Sequence, residues 1–150
     1  GDSRTRMKSI WFTRPNPNYI NEKLNIGTID QHLGINISEV GNDFIRGTMP
    51  ANSRTFQPYG IVHGGANVVL AESLGSIAGS HVVDQNQYRC VGQDVSATHV
   101  RPVSAGLVTG IAKPVHLGRR SQVWQIKLSD DSDRLTCSVR LILAIIEIKL

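Results

Sequence analysis

The sequence predicts an α+β domain in which a curled antiparallel β-sheet wraps around one long central helix. Three observations lead to it. One long helical stretch, His63 to about Val83, is apolar on every side, and such a helix is buried rather than half exposed. Two strand patterns precede it and four follow, joined largely by hairpin-length turns, which makes the sheet antiparallel. The 150 residues suit one domain with one core. A flat sheet does not cover a helix on all sides, so the sheet curls.

In chain order, GDSRTR before Met7 (residues 1–6) reads as an appended remnant, and residues 7–150 as the single domain. Pro15 to Leu33 carries two prolines and several Asn around Ile20, Leu24 and Ile29, which fits a short helix and a loop. Ile35 to Val40 and Phe44 to Met49 read as strands joined by the turn Gly41-Asn42-Asp43. A polar loop runs from Pro50 to Gly60. In the helix that follows, Ala66, Val69, Leu70, Ser73 and Ile77 share one face, with Val68, Ala71, Gly75 and Ala78 on the others. Glycines inside a helix cost ~1 kcal/mol each, so Gly75 and Gly79 predict close approach of a sheet or a second helix. Strands are expected at Arg89–His99, Leu107–His116, Ser121–Ser129 and Leu135–Ile148. The turn Asp130-Asp131-Ser132-Asp133 separates the last two.

Apolar residues make up 40% of the chain and charged residues 19%, which excludes a disordered chain. The net charge of +4 is diffuse: no Lys/Arg run is longer than Arg119-Arg120, and aromatics do not interleave with the basic residues. No nucleic-acid partner is expected; surface variation accounts for the bias, as does a set of basic groups around an anionic ligand. No apolar stretch reaches the ~18 residues of a membrane span, and no signal-peptide pattern occurs. A cytoplasmic protein without a membrane partner is the expectation. Cys90 and Cys137 lack metal-ligand spacing and read as buried free thiols, and no metal is expected.

The chemistry concentrates at the long helix. Between Gly64 and Ser80 the only charged side chain is Glu72. An ionised carboxylate among apolar groups is costly unless paired or protonated, so it either serves chemistry or is held by a partner. The helix opens on His63-Gly64-Gly65, and a helix start offers unpaired amides and partial positive charge. Glycine lets a ligand approach those amides closely; the same glycines also permit tight packing. Gln57 and His63 are neutral hydrogen-bonding groups at the mouth of the turn, although a lone His before a helix is more often a cap or a surface residue. Ser76 follows Glu72 by one helical turn, a spacing that allows a hydrogen bond to that carboxylate or to a substrate ring hydroxyl; it reads also as a small helix-packing residue.

Two segments carry a family resemblance: Gln57-Pro58-Tyr59-Gly60-Ile61-Val62-His63-Gly64-Gly65 and Leu70-Ala71-Glu72-Ser73-Leu74-Gly75-Ser76. They are joined by Val91-Gly92, Ala97-Thr98-His99-Val100-Arg101-Pro102-Val103 and His116-Leu117-Gly118-Arg119. In this order, over roughly Leu33 to Leu143, the chain resembles the hotdog-fold acyl-CoA thioesterases. The branch it resembles is that of the 1,4-dihydroxy-2-naphthoyl-CoA and Arthrobacter-type 4-hydroxybenzoyl-CoA thioesterases, within the PaaI-like superfamily.

The resemblance implies hydrolysis of an aromatic acyl-CoA, with 1,4-dihydroxy-2-naphthoyl-CoA and menaquinone biosynthesis first among the candidates. Phenylacetyl-CoA, fatty acyl-CoA and aryl-carrier-protein proofreading are alternatives, as is a non-catalytic acyl-CoA-binding hotdog protein. It implies Glu72 as nucleophile or general base, the Gly64 amide as oxyanion donor, and Gln57, His63 and Ser76 as orienting groups. It further implies that Gly65 and Gly92, His99 to Pro102 (with Val100 and Arg101), and His116 to Ser121 (with Leu117, Gly118, Arg119 and Arg120) contact the substrate or its CoA. No cofactor is implied beyond that CoA. A homodimer with shared active sites, and a tetramer of two such dimers, follow from the same resemblance. Hotdog dehydratases carry a His-Phe-Pro-Gly type motif instead of His-Gly-Gly. Tyr59, where Phe is expected, and Val68-Val69, where smaller residues are common, bear on the acyl group rather than the reaction.

Overall fold

The computed structural model describes residues 8–149; the remnant assigned to residues 1–6 lies outside them. The elements are α1 (Pro17–Tyr19), which runs into a π turn over Ile20–Leu24, then α2 (Ile29–Leu33), β1 (Asn36–Val40) and β2 (Ile45–Pro50). These are followed by α3 (Gly64–Val82), β3 (Tyr88–His99), β4 (Leu107–Leu117), β5 (Ser121–Ser129) and β6 (Leu135–Glu147). The strands form one sheet in the order β1-β2-β4-β5-β6-β3, antiparallel throughout. The single curled sheet around one long helix is the hotdog fold. Among the described residues no helix is long and apolar enough to cross a membrane.

The sheet takes α3 into its concave face by means of small residues. Gly47 of β2 lies opposite Gly110 of β4, and a β-carbon on either would meet Leu74 at 2.7 Å, so the glycine pair forms the hollow that Leu74 fills. On the helix side, a β-carbon at Gly75 would meet Leu141 at 2.5 Å, and one at Gly79 would clash with Gln122 and Leu143. Gln122 is 1% exposed. Its amide donates to the Gly79 carbonyl at 3.2 Å and its oxygen accepts from Trp124 Nε1 at 2.8 Å, which satisfies a buried polar group and ties β5 to α3.

The helix is not enclosed on all sides within one chain. The face against the sheet is Ala66, Asn67, Leu70, Ala71, Leu74, Gly75, Ala78 and Gly79, whereas Val68, Val69, Ser73 and Ile77 are half-buried. The physical reason is size: small residues permit the closest helix–sheet approach, and the β-branched ones are left outside. β3 is the sheet's outer strand beside β6, and Val91 and Val95 on it are 43% and 36% exposed. Cys90 and Cys137 are free; Cys137 is buried and Cys90 half-buried, and burial raises both thiol pKa values.

Pro15 to Leu33 is more structured than a helix and a loop. Asn21 both donates to the Ile37 carbonyl (2.9 Å) and accepts from its amide (2.8 Å), so one side chain pairs with β1 as a neighbouring strand would.

Candidate active site

The start of α3 is set by the turn before it. Gln57 to Ile61 closes through Gln57 N–H to the Ile61 carbonyl at 2.8 Å, with Gly60 at φ +77°, a backbone state that favours glycine. The Gln57 side-chain oxygen accepts from the Tyr59 amide, which leaves its NH2 as the group turned to other partners. His63 is the N-cap of α3: its Nδ1 accepts from the Gly65 amide at 2.8 Å. The Ala66 and Asn67 amides bond the His63 carbonyl. Among the described residues the Gly64 amide has no acceptor, and this open donor sits at the positive end of the helix.

A groove of about 500 Å³ runs past this point, lined by Gln57, Gly64, Asn67, His99, Arg101 and Pro102, with Val100 beside them. His99 is brought here by the far end of β3, and a β-carbon on Gly64 would stand 3.0 Å from its Nε2. Gly65 and His63 are exposed at the groove's rim.

Glu72 lies two turns further along α3, half-buried. Among the described residues no side chain or backbone group hydrogen-bonds or ion-pairs with it, so it is not a carboxylate held by an arginine or by amides. On the sheet it lies beside Gly92 of β3, whose β-carbon, were there one, would be 3.4 Å from Oε1. Ser76 is half-buried one turn on. The eight-residue step from Gly64 to Glu72 spans about 12 Å of helix axis, so one chain does not set both groups on one carbonyl.

The remaining predicted residues gather elsewhere. Gly118, Arg119 and Arg120 line a separate pocket of about 730 Å³ at the C-terminal end of α3, with Val82, Tyr88 and Glu147. His116 and Leu117 end β4, the His116 ring lies close over Gly118, and the Gly118 amide bonds the Ser121 carbonyl at 2.9 Å. Along β6, His99 pairs with Cys137 and Ser121 with Ala144. The two groups are therefore displaced by about 23 Å along the strand direction at ~3.3 Å per residue.

Two polar residues at the helix escaped the sequence reading. Asn67, 5% exposed, was readable as a polar residue in the first turn of an apolar helix. Asp30, 7% exposed, accepts from Ser73 Oγ at 2.5 Å, and nothing local in the sequence signals that contact. Desolvation raises the Asp30 pKa, and the Ser73 hydrogen bond opposes part of that rise.

Comparison with known proteins gives this geometry its context. The family model described as "Thioesterase superfamily" matches residues 59–137. The 1,4-dihydroxy-2-naphthoyl-CoA hydrolase of Escherichia coli (strain K12) is 48% identical over 120 residues, which cover 80% of this chain and 88% of that protein. The proofreading thioesterase EntH of Cronobacter turicensis is 45% identical over 120 residues, covering 80% and 87%. The crystal structure of a mutant of thioesterase PA1618 from Pseudomonas aeruginosa superposes with TM-score 0.91 at 41% identity, covering 93% of this chain and 100% of that one. Thioesterase HI1161 from Haemophilus influenzae gives 0.88 at 43%, covering 92% and 95%. The matched span includes the start of α3 and most of the sheet, the relatives are named for thioester hydrolysis, and the chain belongs to the thioesterase superfamily as a thioester hydrolase.

Proposed function

We propose that the protein hydrolyses an aromatic acyl-CoA to the free acid and CoA, at a site shared between two copies of the chain. The observation that carries this is the separation on α3 of an amide at Gly64 and a carboxylate at Glu72 that, among the described residues, have no acceptor and no partner respectively. A thioester carbonyl needs both at once: a donor for the oxygen that becomes negative, and a base or nucleophile at the carbon. A second copy packed against the open face of α3, helices antiparallel, lays one chain's Gly64 beside the other's Glu72. The exposed edge of β3 supports that arrangement, because unpaired strand edges and exposed valines are covered by pairing with a like edge. Two such dimers form the tetramer.

In this reading Glu72 either takes a proton from water as it adds to the carbonyl or attacks the carbon itself. The electron pair moves onto the carbonyl oxygen, which the Gly64 amide stabilises. Collapse of the tetrahedral intermediate breaks the C–S bond and expels CoA as thiolate, which is then protonated. The direct route adds hydrolysis of the resulting anhydride by water. Gln57, through its NH2, and His63 orient the thioester and the water, and Ser76 faces Glu72 or a ring hydroxyl. Arg119 and Arg120 supply cations for the CoA phosphates.

The Escherichia coli relative makes 1,4-dihydroxy-2-naphthoyl-CoA the first candidate, and with it a place in menaquinone biosynthesis. The EntH relative supports a second reading, removal of aryl groups from a carrier protein. Comparing kcat/KM over aryl-CoA, alkyl-CoA and aryl-carrier thioesters tests these. Aryl-CoA is expected to lead alkyl-CoA by at least about tenfold, the scale of a few apolar contacts in a pocket. Alkyl preference overturns the aromatic assignment, and preference for the carrier thioester selects the second reading.

A further inference from the structure

The groove at the start of α3 holds a polar contact that the reaction scheme leaves unused. Asn67 lies three residues after Gly64, on the same side of the helix. Its Oδ1 is buried and, among the described residues, without a hydrogen-bond partner, while its Nδ2 faces Nδ1 of His99 at 3.5 Å, the long end of the hydrogen-bond range. The other ring nitrogen, Nε2, is the atom that a β-carbon on Gly64 would meet at 3.0 Å. Among the described residues the ring makes no other hydrogen bond, so its orientation depends on Asn67.

The amide's chemistry then decides where the imidazole proton sits. A buried carbonyl left unpaired is tolerated more readily than a buried N–H, which favours the arrangement with the NH2 turned to the ring. An NH2 only donates, so Nδ1 accepts, and the proton of the neutral ring is on Nε2. That N–H is next to Gly64, whose own amide is open.

We propose that Asn67 is a positioning residue that holds His99 as the Nε2–H tautomer, giving the thioester oxygen a second donor beside the Gly64 amide. The proposal rests on the hydrolytic reading above and deepens it: His99 acts at the reacting carbonyl rather than on the CoA nucleotide. It also gives Gly64 a reason to lack a side chain, since a β-carbon there displaces the ring. Loss of one preorganised oxyanion donor typically lowers kcat by ~10²–10³-fold, and loss of the group that only orients it costs less.

Long-range ¹H–¹⁵N correlation spectra of the protein, labelled at histidine and recorded with the rings neutral, read the tautomer directly; His99→Ala identifies the resonance. The wild type is expected to show Nε2–H and Asn67→Ala a mixture. Asn67→Asp, which accepts instead of donating, is expected to show Nδ1–H. With the best acyl-CoA found, Asn67→Ala is expected to lower kcat about tenfold with KM nearly unchanged, a part of the full donor effect. An Nδ1–H wild type overturns the proposal, as does a tautomer that neither variant moves or a kcat that Asn67→Ala leaves intact. The spectra need no substrate, so a wrong tautomer defeats this inference while the hydrolytic reading stands, and a failed substrate panel leaves the tautomer result in place.

Discussion

A β-carbon on Gly92 would stand 3.4 Å from Oε1 of Glu72, so the edge strand leaves one face of that carboxylate open by about the size of a methyl group. Adding the methyl is expected to crowd the reaction without disturbing the fold. The contact is of ordinary van der Waals length, and Gly92 is not among the glycines at positive φ. Gly92→Ala should therefore melt within a few degrees of wild type and lose up to about a hundredfold in kcat/KM, the cost of displacing a water or reacting carbon by about an ångström. Thiol release from benzoyl-CoA measures the rate, and an unchanged kcat/KM separates Gly92 from the reaction centre.

Glu72→Gln keeps the side chain's size and removes its charge and basicity. No partner is orphaned by the change, because among the described residues none is bound to Glu72. Circular dichroism should be unchanged while kcat falls at least ~10³-fold, on the scale of losing a base or nucleophile. A purified variant that keeps more than about a tenth of the activity removes Glu72 from the mechanism.

Subunit mixing tests the shared site. Glu72→Gln chains and Gln57→Ala/His63→Ala chains are each expected to be inactive. Refolded together, mixed dimers recover one intact site of two, hence up to about half the wild-type activity per mixed dimer. Absence of recovery in verified mixed dimers, or a fully active monomer in sedimentation, rules out the shared arrangement.

Asp30 gives a stability prediction that does not depend on activity. Burial raises its pKa above the ordinary 3.8 despite the Ser73 hydrogen bond. The folded state then holds this proton more tightly than the unfolded state. At pH below 3.8 the acid is neutral in both states and carries no penalty. As pH rises through the folded-state pKa, ionisation favours the unfolded chain and stability falls. Asp30→Asn removes this titration, so the gap between variant and wild type in urea midpoint should move in the variant's favour from pH 4 to pH 7. A gap independent of pH contradicts the desolvated carboxylate.

How far the sequence carries depends on which force sets each feature. α3 and the strands are legible because apolar density and alternation are local, and their ends fall within a residue or two of expectation. Which side of α3 meets the sheet is not legible from hydrophobicity, because Gly75 and Gly79 face inward by virtue of size while Val69 and Ile77 stay half outside. The Pro15–Leu33 segment is obscure because its form comes from distant contacts, such as Asn21 with the Ile37 backbone and Asp30 with Ser73. Glu72 and the Gly64-Gly65 pair stand out because a carboxylate and two glycines are exceptional inside an apolar run. That His99 sits against Gly64, while Arg119 and Arg120 lie at the other end of the helix, follows from β3 pairing with β6, a long-range choice with no local signature.

The notches at Gly75 and Gly79 have a consequence for how this enzyme tolerates change. Leu141, Leu143 and Gln122 occupy the space of the missing β-carbons and so index α3 along the sheet. The index fixes the height at which Glu72 meets Gly92, although none of these residues bears a reacting group. Enlarging either notch residue lifts or slides the whole rod. Two positions that touch no reacting group therefore leave the least room for a larger side chain.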